Sequence, residues 1–153
     1  MNIVVDDRAY LDDFVRLNED WISQFFGLTK EDEELASNPY KIVDDGGHIL
    51  CFLEDGKVVG ACALMNEQRG LYQLARFAVD SSKRGNGYGD ALMLACLKKL
   101  REKEARSVYL YSNKELVPAI FLYKKYGFVT VSEGIMPDCT RANIKMERPV
   151  EDE

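Results

Sequence analysis

Lys83-Arg84-Gly85-Asn86-Gly87-Tyr88-Gly89 places three glycines in five residues, between an apolar strand-like run and an amphipathic segment. Glycine at that density suits a backbone that must take up positive φ or lie close against another group. Residues 90–101 read as a helix, with Leu92, Cys96 and Leu100 at i, i+4 and i+8 and Met93 and Leu97 beside them. Lys98, Lys99, Arg101 and Glu102 fall largely on the opposite face. A glycine loop at a helix N-terminus offers unpaired N–H groups and the positive end of the helix dipole. Arg84 adds a fixed cation. The combination predicts an anion cradle suited to a phosphate group. An ordinary strand-to-helix turn is the plain alternative for the loop alone.

The letters exclude two common phosphate loops. A Walker A loop ends in Gly-Lys-Ser/Thr, and here Gly89 is followed by Asp90. The dinucleotide fingerprint G-x-G-x-x-G fails because the glycines fall at 85, 87 and 89. What remains is Arg84-x-x-Gly87-x-Gly89, preceded by Arg76-Phe77-Ala78-Val79-Asp80. This arrangement resembles the pyrophosphate loop of the GNAT superfamily of acyl-CoA N-acyltransferases. A second segment, Ala119-Ile120-Phe121-Leu122-Tyr123-Lys124-Lys125-Tyr126-Gly127-Phe128, is similar to that family's A-x-x-L-Y-x-x-x-G-F signature. Asn113 precedes it, as an Asn usually does in relatives, although the interval to Tyr123 is longer than the commonest one and Leu116 stands nearer the usual position. Taken singly, Phe121, Leu122 and Tyr123 read as helix core and Gly127 as a helix C-cap. Two ordered signatures together favour the functional reading.

The resemblance covers nearly the whole chain and implies an α/β (α+β) GNAT fold. Such a fold has a mixed, mostly antiparallel twisted sheet, helices on both faces, and splayed fourth and fifth strands. It implies acetyl-CoA as acyl donor, with the backbone of Phe77, Ala78 and Val79 pairing with the pantetheine arm like an added strand. Arg84, Gly85, Asn86, Gly87, Tyr88 and Gly89 are then expected to hold the pyrophosphate. Asn113 is expected to bond the pantetheine region, and Tyr123 to serve as general acid toward the departing sulfur and to contact the cosubstrate. No metal is required, because a thioester is already activated. The general base stays open: Gln73 stands in mid-strand where some relatives carry Glu, and Gln cannot accept a proton at neutral pH. Glu67, Tyr72 and His48, acting through water, are the candidates.

Along the chain, strands are expected at 3–5, 49–53, 57–64, 71–79, 107–111, 129–132 and 143–146, with a brief edge strand at 40–43. Tyr10, Phe14, Leu17, Trp21 and Phe25 make one helical stripe. Thr29 caps an acidic helix over 31–37, and Glu54-Asp55-Gly56 marks a hairpin turn. Residues 1–148 are expected to form one catalytic domain, followed by a short acidic tail at 149–153.

The chain of 153 residues carries a net charge of −6, which argues against general nucleic-acid binding. No apolar run reaches the ~20 residues of a membrane span, and the acidic start is unlike a signal peptide. Cys51, Cys62, Cys96 and Cys139 form no C-x-x-C pair and His48 is the single histidine, so no metal site is expected. A reduced cytoplasmic setting follows most simply, with Cys51, Cys62 and Cys96 buried. The acceptor is expected to be a small-molecule or peptide amine, bound between the first helices (21–38) and the 133–141 loop. Glu31, Asp32, Glu33 and Glu34 favour a cationic amine, unless that run is a solvated helix face. Relatives often pair as homodimers. Two function classes stand: an acetyl-CoA-dependent N-acetyltransferase, and a non-catalytic acyl-CoA-binding sensor or interaction module, which Gln73 keeps open.

Overall fold

The computed structural model describes residues 2–83, 85–137, 139 and 141–151, apart from the side chains at 24 and 25. Seven strands form one sheet: β1 (Asn2–Val5), β2 (His48–Glu54), β3 (Lys57–Asn66), β4 (Leu71–Val79), β5 (Ser107–Ser112), β6 (Val129–Glu133) and β7 (Ile144–Pro149). Their spatial order is β1-β2-β3-β4-β5-β7-β6, antiparallel throughout except for β4 beside β5. Five α-helices accompany them among the described residues: α1 (Leu11–Phe25), α2 (Lys30–Ser37), α3 (Lys41–Asp44), α4 (Tyr88–Glu102) and α5 (Val117–Lys125).

Period-two alternation sorts the central strands onto two cores. Ile49, Cys51, Ala61, Ala63 and Ala78 face α1 and α3, meeting Leu11, Phe14, Leu17 and Ile42. Leu50, Cys62, Leu64, Leu74, Val108, Leu110 and Met146 face the other way, against Leu92, Met93, Cys96, Leu97 and Leu100 of α4. Because both faces of β2 and β3 are covered, these strands read as continuous apolar runs. The five buried side chains of α4 contribute about 2 kcal/mol each, enough to dock a helix whose N-terminus has no side-chain cap. Between β2 and β3, Asp55 and Gly56 take φ of 51° and 76°, the two left-handed positions of a primed hairpin turn.

Two local expectations shift. The α1 stripe begins at Leu11 and runs through Phe14 and Leu17 to Ile22, with Tyr10 in a single 3-10 turn ahead of it. Phe25 lies outside the described side chains. Residues 40–43, expected as an edge strand, form α3 instead. The reason is local: the N–H groups of Ile42, Val43 and Asp44 bond back to Pro39 and Tyr40, and Lys41 pairs with Asp45 at 2.5 Å. The neighbouring strand β2 is paired on both sides, by β1 and β3.

The feature that makes a site is the divergence of β4 and β5. They pair at only three positions, Leu71 with Ser107, Tyr72 with Val108 and Gln73 with Tyr109. Beyond Gln73, β4 continues to Val79 with β3 on one side and no strand on the other. A bulge sits on this free stretch. Ala61 pairs with Ala78 and Ala63 with Ala75, so Arg76 and Phe77 together oppose one residue, and Arg76 takes φ of 58°. At the far end, β7 runs to Pro149 and the Val150 N–H bonds the Arg106 carbonyl at 2.9 Å.

Candidate active site

A cleft of about 370 Å³ opens where β4 and β5 part. Gln73, Arg76 and Phe77 line it from β4, Tyr109 and Tyr111 from β5, Asn18 and Trp21 from α1, and Ala119 and Tyr123 from α5. The β5-facing edge of β4 from Leu74 onward has lost its ladder partner, which leaves main-chain donors and acceptors for an extended ligand. Phe77, Ala78 and Val79 lie on that stretch. Phe77 lines the cleft, with its ring edge-on to Tyr123 at 6.1 Å, whereas the Ala78 side chain is buried toward α1.

At the end of β4 the glycine loop leads into α4. Gly85 and Gly87 have φ of 84° and 77°, and a methyl group built on either meets nothing within 4 Å. Gly87 is the N-cap, and the first bond inside the helix runs from the Ala91 N–H to the Gly87 carbonyl at 3.1 Å. The N–H groups of Tyr88, Gly89 and Asp90 therefore have no partner within the helix. The Asp90 carboxylate accepts from Lys125 at 2.6 Å and from the Tyr126 hydroxyl at 2.7 Å, which locks α5 against the start of α4. Open space over left-handed glycines and orphan N–H groups at a fifteen-residue helix fit a diphosphate. Each remaining residue has its own place. Gly89 packs on Leu122, where a Cβ would come within 3.3 Å. Asn86 donates to the Lys83 carbonyl at 3.0 Å. Tyr88 turns its ring onto Phe52, with 4.9 Å between centroids, and its hydroxyl to Glu54, so only its backbone faces the loop. Arg84 lies outside the described residues.

Tyr123 is 7% exposed, packed edge-on between Phe77 and Phe128, and its hydroxyl has no hydrogen-bond partner among the described residues. Burial, with the neighbouring Cys62 and Cys96, holds its pKa well above the ordinary phenol range. The shift favours the protonated phenol, and Tyr123 lines the cleft. Asn113 also lines the cleft, but its side chain is engaged: Nδ2 donates to the Arg141 carbonyl at 3.1 Å, and Oδ1 accepts from the Glu115 N–H at 3.0 Å.

The three candidate bases separate cleanly. Tyr72 is buried in the α4-side core. His48 is buried beside β1, with Nδ1 2.8 Å from Asp6, whose other oxygen accepts from the Ile49 N–H. Glu67 lines the cleft and accepts a hydrogen bond from Tyr109 at 2.6 Å, with Gln73 beside the same hydroxyl.

Sequence reasoning missed a buried ion cluster behind the cleft. Asp32, 2% exposed, accepts from Arg76 and from both terminal nitrogens of Arg141 (2.8 and 3.2 Å). It also accepts from the Thr29 N–H at 2.7 Å, closing a capping box on α2. Arg76 in turn donates to the buried Asn18 at 3.1 Å. Burial alone raises the carboxyl pKa, but the Arg141, Thr29 and Arg76 donors outweigh it and hold the group well below the usual carboxylate range. Asp32 is thus spent on arginines. Glu33 and Glu34 are exposed outside the cleft lining, and Glu31 is the member of the acidic run that lines it. One signal was legible: Asn18 interrupts the apolar stripe of α1 between Phe14 and Ile22.

Comparison with known proteins agrees with this geometry. The chain matches the model of the acetyltransferase (GNAT) family over residues 14–128, and it belongs to that family. It is similar to the mycothiol acetyltransferase of Saccharomonospora viridis, 42% identical over 57 residues that make up 37% of this chain and 19% of that protein. Among solved structures, a GNAT-family acetyltransferase from Staphylococcus aureus superposes with a TM-score of 0.87 at 18% identity, covering 98% of this chain and 99% of the other. The ribosomal-protein-S18-alanine N-acetyltransferase of Escherichia coli gives 0.76 at 18% identity, over 99% and 95%. At these identities the structural likeness establishes the fold. The chain spans less than two thirds of the length of the curated relatives it matches. No helix among the described residues is long and apolar enough to cross a membrane.

Proposed function

We propose that this protein transfers an acetyl group from acetyl-CoA to the primary amine of a small molecule or peptide, by direct attack in a ternary complex. The observation that carries the reading is the junction of the parted β4–β5 edge, the uncapped α4 N-terminus and the unpartnered Tyr123 phenol.

The chemistry has four demands: a held thioester, a donor to its carbonyl oxygen, a proton removed from the amine and a proton supplied to the thiolate. The free edge of β4 holds the pantetheine arm and supplies N–H groups near the carbonyl, while the Gly85–Gly89 backbone takes the diphosphate. The amine nitrogen bonds the carbonyl carbon as the C–S bond breaks, and the sulfur leaves with the electron pair. Tyr123 donates toward that sulfur. The proton lost by the amine passes through water toward Glu67, the one candidate base lining the cleft. Arg84 and Asn113 complete the proposed cosubstrate contacts.

Free-thiol release from acetyl-CoA, measured with a panel of amines, tests the reading. The panel holds a peptide with N-terminal alanine, a polyamine, an amino sugar and a lysine derivative, and the product is weighed by mass spectrometry. Thiol release with an acetylated product is expected for at least one amine. Acetyl-CoA binding without thiol release favours the sensor reading, for which Gln73 in the cleft is the supporting observation.

A further inference from the structure

The hydrogen bonds around Asp32 form an unbroken chain that links α1, α2, β4, the β6–β7 loop and the segment leading to α5. Asn113, in the segment leading to α5, holds the Arg141 carbonyl; the Arg141 guanidinium grips both oxygens of Asp32; Asp32 belongs to α2. From there Arg76 continues the chain to the β4 bulge and on to Asn18 of α1. The Arg141 loop is tied down a second time, because the Lys114 N–H donates to the Asn143 side chain at 2.9 Å and the Asn143 N–H to the Ser112 carbonyl at 3.0 Å. Among the described residues, the Asp32–Arg141 pair is the ion pair that joins α2 to the β6–β7 loop.

We propose that Asp32, through Arg76 and Arg141, is a positioning residue that sets the acceptor wall of the cleft against the β4 bulge. The inference rests on the acyl-transfer reading of the same cleft. Two guanidiniums sharing one buried carboxylate have few alternative arrangements, so the clamp fixes a distance rather than merely adding attraction. Arg76 needs that fixing most. Its left-handed backbone is an uncommon conformation for a residue with a side chain, and it directly precedes Phe77 on the proposed pantetheine edge. Arg141 holds the opposite wall by its guanidinium and, through its carbonyl, the approach to α5 and Tyr123. Loss of the clamp therefore misplaces the amine relative to the thioester, while the diphosphate loop at the other end of β4 is left alone.

The test uses Asp32→Asn, which keeps the shape and removes the charge, and Arg141→Lys, which keeps the charge and loses the two-pronged grip. Acetyl-CoA affinity is measured by calorimetry, and steady-state kinetics use the alanine peptide or whichever panel amine wild type accepts. In both folded variants, kcat/KM for the amine is expected to fall by about 10²-fold, the scale of a misplacement near 1 Å, with acetyl-CoA affinity within about twofold of wild type. The double variant should lose little more than the worse single one, because both act on one clamp. Backbone hydrogen exchange gives a readout independent of turnover. Residues 30–37 and 141–143 should exchange faster in both variants, and α4 should not. Amine kcat/KM near wild type in both folded variants overturns the proposal. Should wild type acetylate no amine, the acyl-transfer reading fails by itself; unchanged exchange over 30–37 and 141–143 then overturns the clamp as well, and selective loosening sustains it.

Discussion

Tyr123 and Asp32 show how burial sets opposite fates for two ionisable side chains. For Tyr123 nothing offsets burial, so the phenol stays protonated and its pKa rises. Tyr123→Phe keeps the ring contacts with Phe77 and Phe128. Acetyl-CoA affinity should therefore hold while turnover falls by about 10²-fold, the common scale for a lost general acid. Wild-type turnover should show no decline from this group up to about pH 10, the ordinary phenol value. Near-normal turnover in the variant returns Tyr123 to a packing role. For Asp32, donors outweigh burial and depress the folded-state pKa. A depressed carboxyl pKa gives stability that is complete above the unfolded value near 3.9 and is lost as pH falls through the folded one. Urea unfolding should accordingly weaken more steeply below about pH 4 in wild type than in Asp32→Asn, and parallel curves would remove the ion cluster from the acid response. Tyr123 was legible because a signature surrounds it. In the sequence Asp32 is one of four acids in a row, and nothing in Glu31-Asp32-Glu33-Glu34 says which carboxylate turns inward. Its partners lie 44 and 109 residues away, beyond any local pattern.

At the scale of elements, periodicity and turn chemistry carried most of the reading. The Asp55-Gly56 hairpin, the Thr29 cap and the α4 stripe each depend on neighbours within a few residues, and each is found where expected. Tyr, Ile and Val in the 40–43 segment favour a strand in isolation, but the carbonyls of Pro39 and Tyr40 capture its N–H groups into a helical turn. The β4 bulge had no signal beyond Arg76 standing inside an apolar run. Helix docking can be tested directly. Phe14 of α1 is fully buried, so Phe14→Ala should cost about 3–5 kcal/mol in urea or thermal unfolding. Leu94 of α4 is 54% exposed, and Leu94→Ser should stay within about 0.5 kcal/mol. Equal losses at the two positions would contradict the assignment of α1 to the core.

Across the whole molecule, two ordered signatures fixed the fold because a glycine loop and a Tyr-bearing helix have to converge on one parted strand pair. The acceptor stayed illegible for a complementary reason: its walls come from α1, α2 and the β6–β7 loop, whose side chains meet only after folding. Net charge does not decide the matter either, since the −6 of the chain is spread over exposed carboxylates while the cleft brings Arg76 and Arg141 together with Glu31 and Glu67. The central claim is that acetyl-CoA is held by backbone groups of the glycine loop. A side chain at Gly87 points into space that is open in the protein, so a carboxylate there costs the fold little beyond its left-handed backbone and meets the bound diphosphate head-on. Calorimetric titration of acetyl-CoA into wild type and Gly87→Glu, both confirmed folded by circular dichroism, is the most direct measurement. The account predicts saturable binding to wild type and affinity at least about tenfold weaker in the variant, a loss of about 1.4 kcal/mol or more. Equal affinity for acetyl-CoA in the two folded proteins would contradict it.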